Sequence, residues 1–151
     1  MPKFRHLTSP DSKFTHITQN VDGHALTALD EIFLDAPENT PRPDVIEMHG
    51  HLYNVECTAH DCDWRQTNHD SPICPALAGT ELDMGQGTPQ HLVKRKDLPH
   101  CPECGQLARP GVVWFGERPY RIHEVLALAE EADLILIIGT SGTVSNRPYL
   151  L

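Results

Sequence analysis

Glu47-Met48-His49-Gly50 opens, and Val113-Trp114-Phe115-Gly116-Glu117 closes, a stretch that carries two cysteine pairs, Cys57-x4-Cys62 and Cys101-x2-Cys104. Two short pairs far apart in sequence can converge as four thiolates around one ion. Zn²⁺ takes four tetrahedral soft ligands, two from each knuckle. Gly105, directly after the second pair, lets the knuckle turn tightly without a Cβ in the way. The spacing therefore predicts one structural zinc per chain on Cys57, Cys62, Cys101 and Cys104. Cys57-x2-His60 is the more usual knuckle spacing, so His60 stands as an alternative ligand to Cys62. Cys74, between Pro72 and Pro75, is expected to pack rather than bind. A closed four-ligand site leaves no position for water, so this zinc holds structure and does no chemistry.

At 151 residues and 39% hydrophobic content, the chain suffices for one compact domain, or one domain with a small appendage. The formal charge of −9 argues against a direct nucleic-acid partner, because a phosphate backbone calls for a basic surface. The longest aliphatic run, Leu134 to Ile138, is far too short to span a bilayer, so no membrane partner is expected. Paired cysteines without a signal-peptide pattern fit a reducing, intracellular compartment. The basic start, Met1-Pro2-Lys3-Phe4-Arg5-His6, meets Asp11 too soon to be a targeting peptide by itself.

Residues 14–18 alternate apolar and polar, which predicts a half-buried strand before the turn Gln19-Asn20-Val21-Asp22-Gly23. Ala25, Leu26, Leu29, Ile32 and Phe33 recur at helical spacing, and a Pro-rich loop follows from Asp35 to Asp44. Val45–Met48 and Leu52–Cys57 read as strands, residues 63–99 as a long excursion with Gly85-Gln86-Gly87 at its middle, and Val112–Phe115 as another strand. Ile122, Val125, Leu126, Leu128, Ala129 and Ala132 predict a second amphipathic helix. Leu134-Ile135-Leu136-Ile137-Ile138 has the continuous apolar character of a strand buried on both faces of a parallel sheet. It leads into Gly139-Thr140-Ser141-Gly142, where a ligand phosphate or ribose can approach the backbone. The fold class is α/β, with a zinc-bearing insertion between two halves of a parallel sheet.

Thr18-Gln19-Asn20-Val21-Asp22 lies just past a strand, where open parallel sheets place ligands. An amide pair and a carboxylate suit a ligand with hydroxyl and carboxamide groups, although an ordinary Asn/Asp turn has the same composition. His49 also ends a strand, and an imidazole there suits a general base.

Taken in order, Thr18-Gln19-Asn20-Val21-Asp22-Gly23, Glu47-Met48-His49-Gly50, the cysteine pairs, Val113-Trp114-Phe115-Gly116-Glu117 and Gly139-Thr140-Ser141 strongly resemble a sirtuin. Ser71-Pro72-Ile73-Cys74-Pro75-Ala76-Leu77-Ala78-Gly79 is similar to the class III, sirtuin-5-like acyl-lysine deacylases. The resemblance covers about residues 14–144. It implies a partial Rossmann-like NAD-binding domain from 1–50 and 111–151, and a small zinc-binding domain from 51–110. It also implies that NAD is consumed as co-substrate to remove an acyl group from lysine, releasing nicotinamide and an O-acyl-ADP-ribose. His49 would be the catalytic base. Gln19, Asn20, Asp22, Gly139, Thr140 and Ser141 would bind the cofactor, and Val113, Trp114, Phe115, Gly116 and Glu117 would pair with the acylated-lysine peptide as an added strand.

By the same resemblance the compartment would be mitochondrial, with cytoplasm and nucleus as alternatives. The family's Gly-Ala-Gly-Ile-Ser loop and Asp-Phe-Arg segment are missing from the sequence, and Ser145 stands where the family has Tyr. The expectation is a sirtuin truncated at both ends. A zinc-stabilised peptide-binding remnant without turnover is the alternative.

Overall fold

The computed structural model describes residues 13–38, 40–80 and 92–140. They fall into two compact units, one drawn from Met1–Gly50 and Val113–Leu151, the other His51–Val112.

The first unit is built on a β-α-β crossover. Strand β1 (Thr15–Thr18) leads through a turn to helix α1 (His24–Phe33), and the chain returns as strand β2 (Asp44–Glu47). β1 and β2 pair in parallel, in register from Thr15 opposite Asp44 to Thr18 opposite Glu47. The Met48 N–H extends the pairing by donating to the Thr18 carbonyl at 3.0 Å. Gly23 starts α1 with φ 74°, a conformation that carries little cost without a Cβ. Helix α2 (Ile122–Glu131) turns Ile122 and Val125 inward, where they form the unit's core with Ile46 and Met48. Ile17, Leu126 and Leu128 pack around that cluster. Arg121 starts α2 at φ 54°, and its guanidinium holds Glu124 at 2.6 Å and Asp44 at 3.1 Å.

Two expected strands are not formed. Leu134–Ile138 is not in a strand, and its five side chains are 65, 54, 79, 72 and 79% exposed. A doubly buried strand needs edges to pair with and layers above and below. Among the described residues the parallel sheet has only β1 and β2. The apolar face of α1 is likewise uncovered: the helix forms where its periodicity places it, yet none of its residues is buried. The second correction concerns Val112–Phe115, where the strand instead covers Ala108–Val112 (β5) and stops before the aromatic residues.

The second unit is a three-stranded sheet in which β3 (Gly50–Cys57) lies between β4 (Arg65–Thr67) and β5. β3 and β4 are antiparallel, with Glu56 opposite Arg65. Gly111 of β5 is a close-approach position, since a Cβ there would come within 2.8 Å of the Asn54 Cβ. Glu56 is buried and shared by two guanidiniums, Arg65 at 2.7 Å and Arg109 at 2.9 Å. One carboxylate thus ties both outer strands to the central one. Within the long excursion, 3₁₀ turns form at Pro75–Leu77 and Arg95–Asp97, and the Cys74 thiol donates to the Asp97 carbonyl at 3.4 Å. Gly85-Gln86-Gly87 lies outside the described residues.

Two outcomes follow from these contacts. Glu56→Ala removes the anion between two cations and is expected to lower the unfolding free energy by about 1–3 kcal/mol in chemical denaturation. The exposed Leu134–Ile138 run predicts self-association at micromolar concentration by light scattering, reduced in Ile137→Lys. A monodisperse parent chain with a sharp thermal transition would count against it.

Candidate metal centre and histidine site

Four sulfurs meet in the second unit. Cys57 and Cys62 follow from the end of β3, and Cys101 and Cys104 from the knuckle before β5. All four Sγ atoms lie within 4.8 Å of one another. The short contacts cross between knuckles: Cys57 to Cys104 at 3.3 Å and Cys62 to Cys101 at 3.7 Å. Tetrahedral zinc with Zn–S bonds of about 2.3 Å sets sulfurs about 3.8 Å apart, so the residues fit that ion. Cys62, not His60, completes the group.

The backbone shapes the cluster. Cys101 N–H donates to the Gln106 carbonyl at 2.7 Å, and Gly105 N–H to the Cys101 carbonyl at 2.9 Å with Gly105 at φ 73°. The knuckles are joined by Thr58, whose N–H and hydroxyl both donate to the Leu107 carbonyl.

The thiols do not share one acidity. The Trp64 N–H favours the Cys62 thiolate, but desolvation and the neighbouring sulfurs push this thiol up to about 12. At Cys57 the Ala59 N–H, 3.3 Å from Sγ, is likewise outweighed by desolvation and Cys104, and the thiol is raised. Desolvation opposes ionisation of Cys101 too, yet the N–H groups of Cys104 and Glu103 with the other thiols hold it below its ordinary value. Without metal, then, Cys62 and Cys57 hold their protons more firmly than an ordinary thiol does, while Cys101 releases its own more readily. A dication must displace the protons that remain.

The histidine site lies in the first unit, past the ends of the parallel pair. His49 follows β2 and Gln19 follows β1. His49 Nδ1 is 3.2 Å from the Gln19 carbonyl. A carbonyl can only accept, so Nδ1 carries the hydrogen and the neutral ring keeps its Nε2 lone pair free. The Gln19 side chain reaches the other way, its Oε1 accepting the Thr140 hydroxyl at 3.2 Å. Gln19, His49 and Thr140 are thus brought together, with Gly139 beside them in the chain at φ 71°. Ser141 lies outside the described residues.

Asn20 keeps an exposed side chain, while its N–H donates to Thr18 Oγ1 at 3.1 Å. Asp22 Oδ1 accepts the His24 N–H at 3.0 Å, an Asx turn that starts α1. The expected peptide-pairing stretch is a tight turn: Glu117 N–H donates to the Trp114 carbonyl at 3.0 Å, with Gly116 at φ 89°. Glu117 Oε2 in return accepts the Trp114 N–H at 3.0 Å, and the Val113 N–H is taken by the His49 carbonyl at 2.8 Å. Trp114 and Phe115 stand exposed at the tip. Sequence reasoning missed the roles of Thr18 and Glu56. Only Thr18 had a signal, a hydroxyl two residues before a loop amide.

A family model described as the Sir2 family matches residues 3–146. The chain belongs to the Sir2 family. It is 35% identical over 136 residues to the NAD-dependent protein deacylase of Thermococcus kodakarensis, covering 89% of this chain and 42% of that one. It is 35% identical to the NAD-dependent protein deacylase of Candida albicans, covering 95% of this chain and 53% of that one. The mitochondrial NAD-dependent protein deacylase sirtuin-5 of Canis lupus familiaris is 36% identical over 132 residues, with coverage of 85% and 38%. The chain therefore spans roughly two fifths to a half of the curated relatives it matches. A solved structure concerned with sirtuin substrate affinity aligns with TM-score 0.50 at 25% identity, covering 84% of this chain and 40% of that one.

Chelation of a zinc-loaded chain is expected to unfold the second unit, seen as loss of amide protection in 51–112. Zinc uptake at neutral pH should release protons, with affinity falling as pH falls because the raised thiols compete as acids. Cys62→Ser should lose tight zinc binding, and His60→Ala should keep it.

Proposed function

We propose that the chain is the histidine- and zinc-bearing part of an NAD-dependent protein-lysine deacylase. The observation that carries the reading is the His49–Gln19 contact. It leaves Nε2 as a base beyond the ends of two parallel strands, where α/β sheets present ligands. The relatives named as deacylases support the same activity.

In this reading His49 Nε2 takes a proton from a ribose hydroxyl of the co-substrate. Gln19 and Asn20 hold the ribose side, and Asp22 the carboxamide, its second oxygen being free of the His24 contact. Gly139, Thr140 and Ser141 line the rest of the dinucleotide. NAD supplies the electrophilic ribose carbon and nicotinamide as leaving group. The unit of 1–50 and 113–151 is the NAD-binding part, and 51–112 is the zinc-binding part, whose Cys57, Cys62, Cys101 and Cys104 hold a structural ion. Val113 to Glu117 meet the acylated-lysine peptide. The Val113, Trp114 and Glu117 N–H groups are already engaged, so an incoming strand can pair with those three only if their present contacts open. The mitochondrial designation of the sirtuin-5 relatives supports that compartment for this chain.

The test is nicotinamide release by the zinc-loaded chain with acetyl-, succinyl- and glutaryl-lysine peptides. The expected result is release that depends on the acyl peptide and drops by about 10²–10⁴-fold in His49→Ala. No release from a folded, zinc-bound chain would overturn the catalytic reading and leave peptide binding without turnover.

A further inference from the structure

One peptide group, between Gln19 and Asn20, is tied at both ends. Its carbonyl accepts from His49 Nδ1 at 3.2 Å, and its N–H donates to Thr18 Oγ1 at 3.1 Å. The peptide is a rigid plane, so fixing the N–H also fixes where the carbonyl points. Thr18 is itself tied down: it closes β1, is 8% exposed, and gives its own carbonyl to the Met48 N–H at 3.0 Å. Packing alone would be served there by valine, which has the same shape. What threonine adds is the hydroxyl oxygen, and that oxygen is occupied.

We propose that Thr18 is a positioning residue for His49. By accepting the Asn20 N–H, it aims the Gln19 carbonyl at Nδ1 and keeps the imidazole in the tautomer whose Nε2 can take a proton. Remove the hydroxyl, and the Gln19–Asn20 plane can turn about its flanking torsions, taking the acceptor away from Nδ1. The ring proton then spreads over both nitrogens, and a ring protonated at Nε2 is no base on that side. Thr18 touches no reactant; it acts through a backbone carbonyl. The inference rests on His49 being the base of the proposed reaction, but its readout needs no turnover.

The experiment is ¹⁵N NMR of the histidine-labelled, zinc-loaded chain, at a pH where His49 is neutral. The unaltered chain is expected to show His49 as the Nδ1–H tautomer. Thr18→Val should shift the tautomer ratio by about fivefold toward Nε2–H, the scale of one lost hydrogen bond, and Thr18→Ser should restore it. An unchanged tautomer in folded Thr18→Val overturns the proposal. Should that variant fail to fold, the Asn20 amide of the unaltered chain decides. Slow exchange with a small temperature coefficient supports the link, and free exchange overturns it. A locked tautomer in a chain that releases no nicotinamide would sink the deacylase reading and leave the Thr18 link standing. A tautomer mixture in an active chain does the reverse.

Discussion

The parallel pairing of β1 with β2 is the constraint on which the first unit depends. Its register sets Thr18 against Glu47, and the Met48–Thr18 hydrogen bond carries the alignment one step past the strand ends. Two residues thirty positions apart, Gln19 and His49, are thereby placed at the same edge. Slipping the register by one residue would turn Ile46 out of the core and replace His49 at that edge. The side chains that fill the core and the imidazole that leaves it are set by the same hydrogen bonds. The burial of Ile46 and Met48 therefore matters to the site as well as to stability.

The second unit holds itself together by a different means. It has a small sheet and few buried apolar side chains among the described residues, Val55 and Cys101 being its buried hydrophobic members. Hydrophobic burial at about 25 cal/mol per Å² gives little to so small a core. Polar cross-links stand in for it. Glu56 joins three strands through two guanidiniums, and four thiols join two knuckles. Zinc would displace the remaining thiol protons and bind four thiolates from two knuckles, which makes the metal a folding term rather than an ornament.

The sequence was legible where the structure is local. Alternation located β1, short apolar-bearing runs located β2 and β3, helical spacing located α1 and α2, and paired cysteines located the thiol cluster, because each signal needs only near neighbours. Leu134–Ile138 misled because a doubly apolar run states what a strand needs, not whether the layers are there to supply it. Val113-Trp114-Phe115 misled for another reason: β-branched and aromatic residues favour strands, but Gly116 and the Glu117 carboxylate close a turn that overrides the preference. The cysteine spacing left Cys62 and His60 open, and only three-dimensional convergence separates them. Glu56 was invisible in sequence, since its partners Arg65 and Arg109 lie 9 and 53 residues away.

Thr18 shows how the two kinds of information combine. A threonine at the end of an alternating strand reads as one more β-branched residue, and its burial would confirm that bland role. Its hydroxyl makes an ordinary local contact, to an amide two residues on. The consequence appears only when the same peptide is followed to its other end, where the carbonyl meets an imidazole delivered by a different strand. A hydrogen bond worth about 1 kcal/mol in stability is minor in the energetics of a domain. Applied to a tautomer equilibrium, the same energy decides on which side of the ring a proton can be received. A contact of ordinary strength can thus govern which face of an imidazole is available as a base.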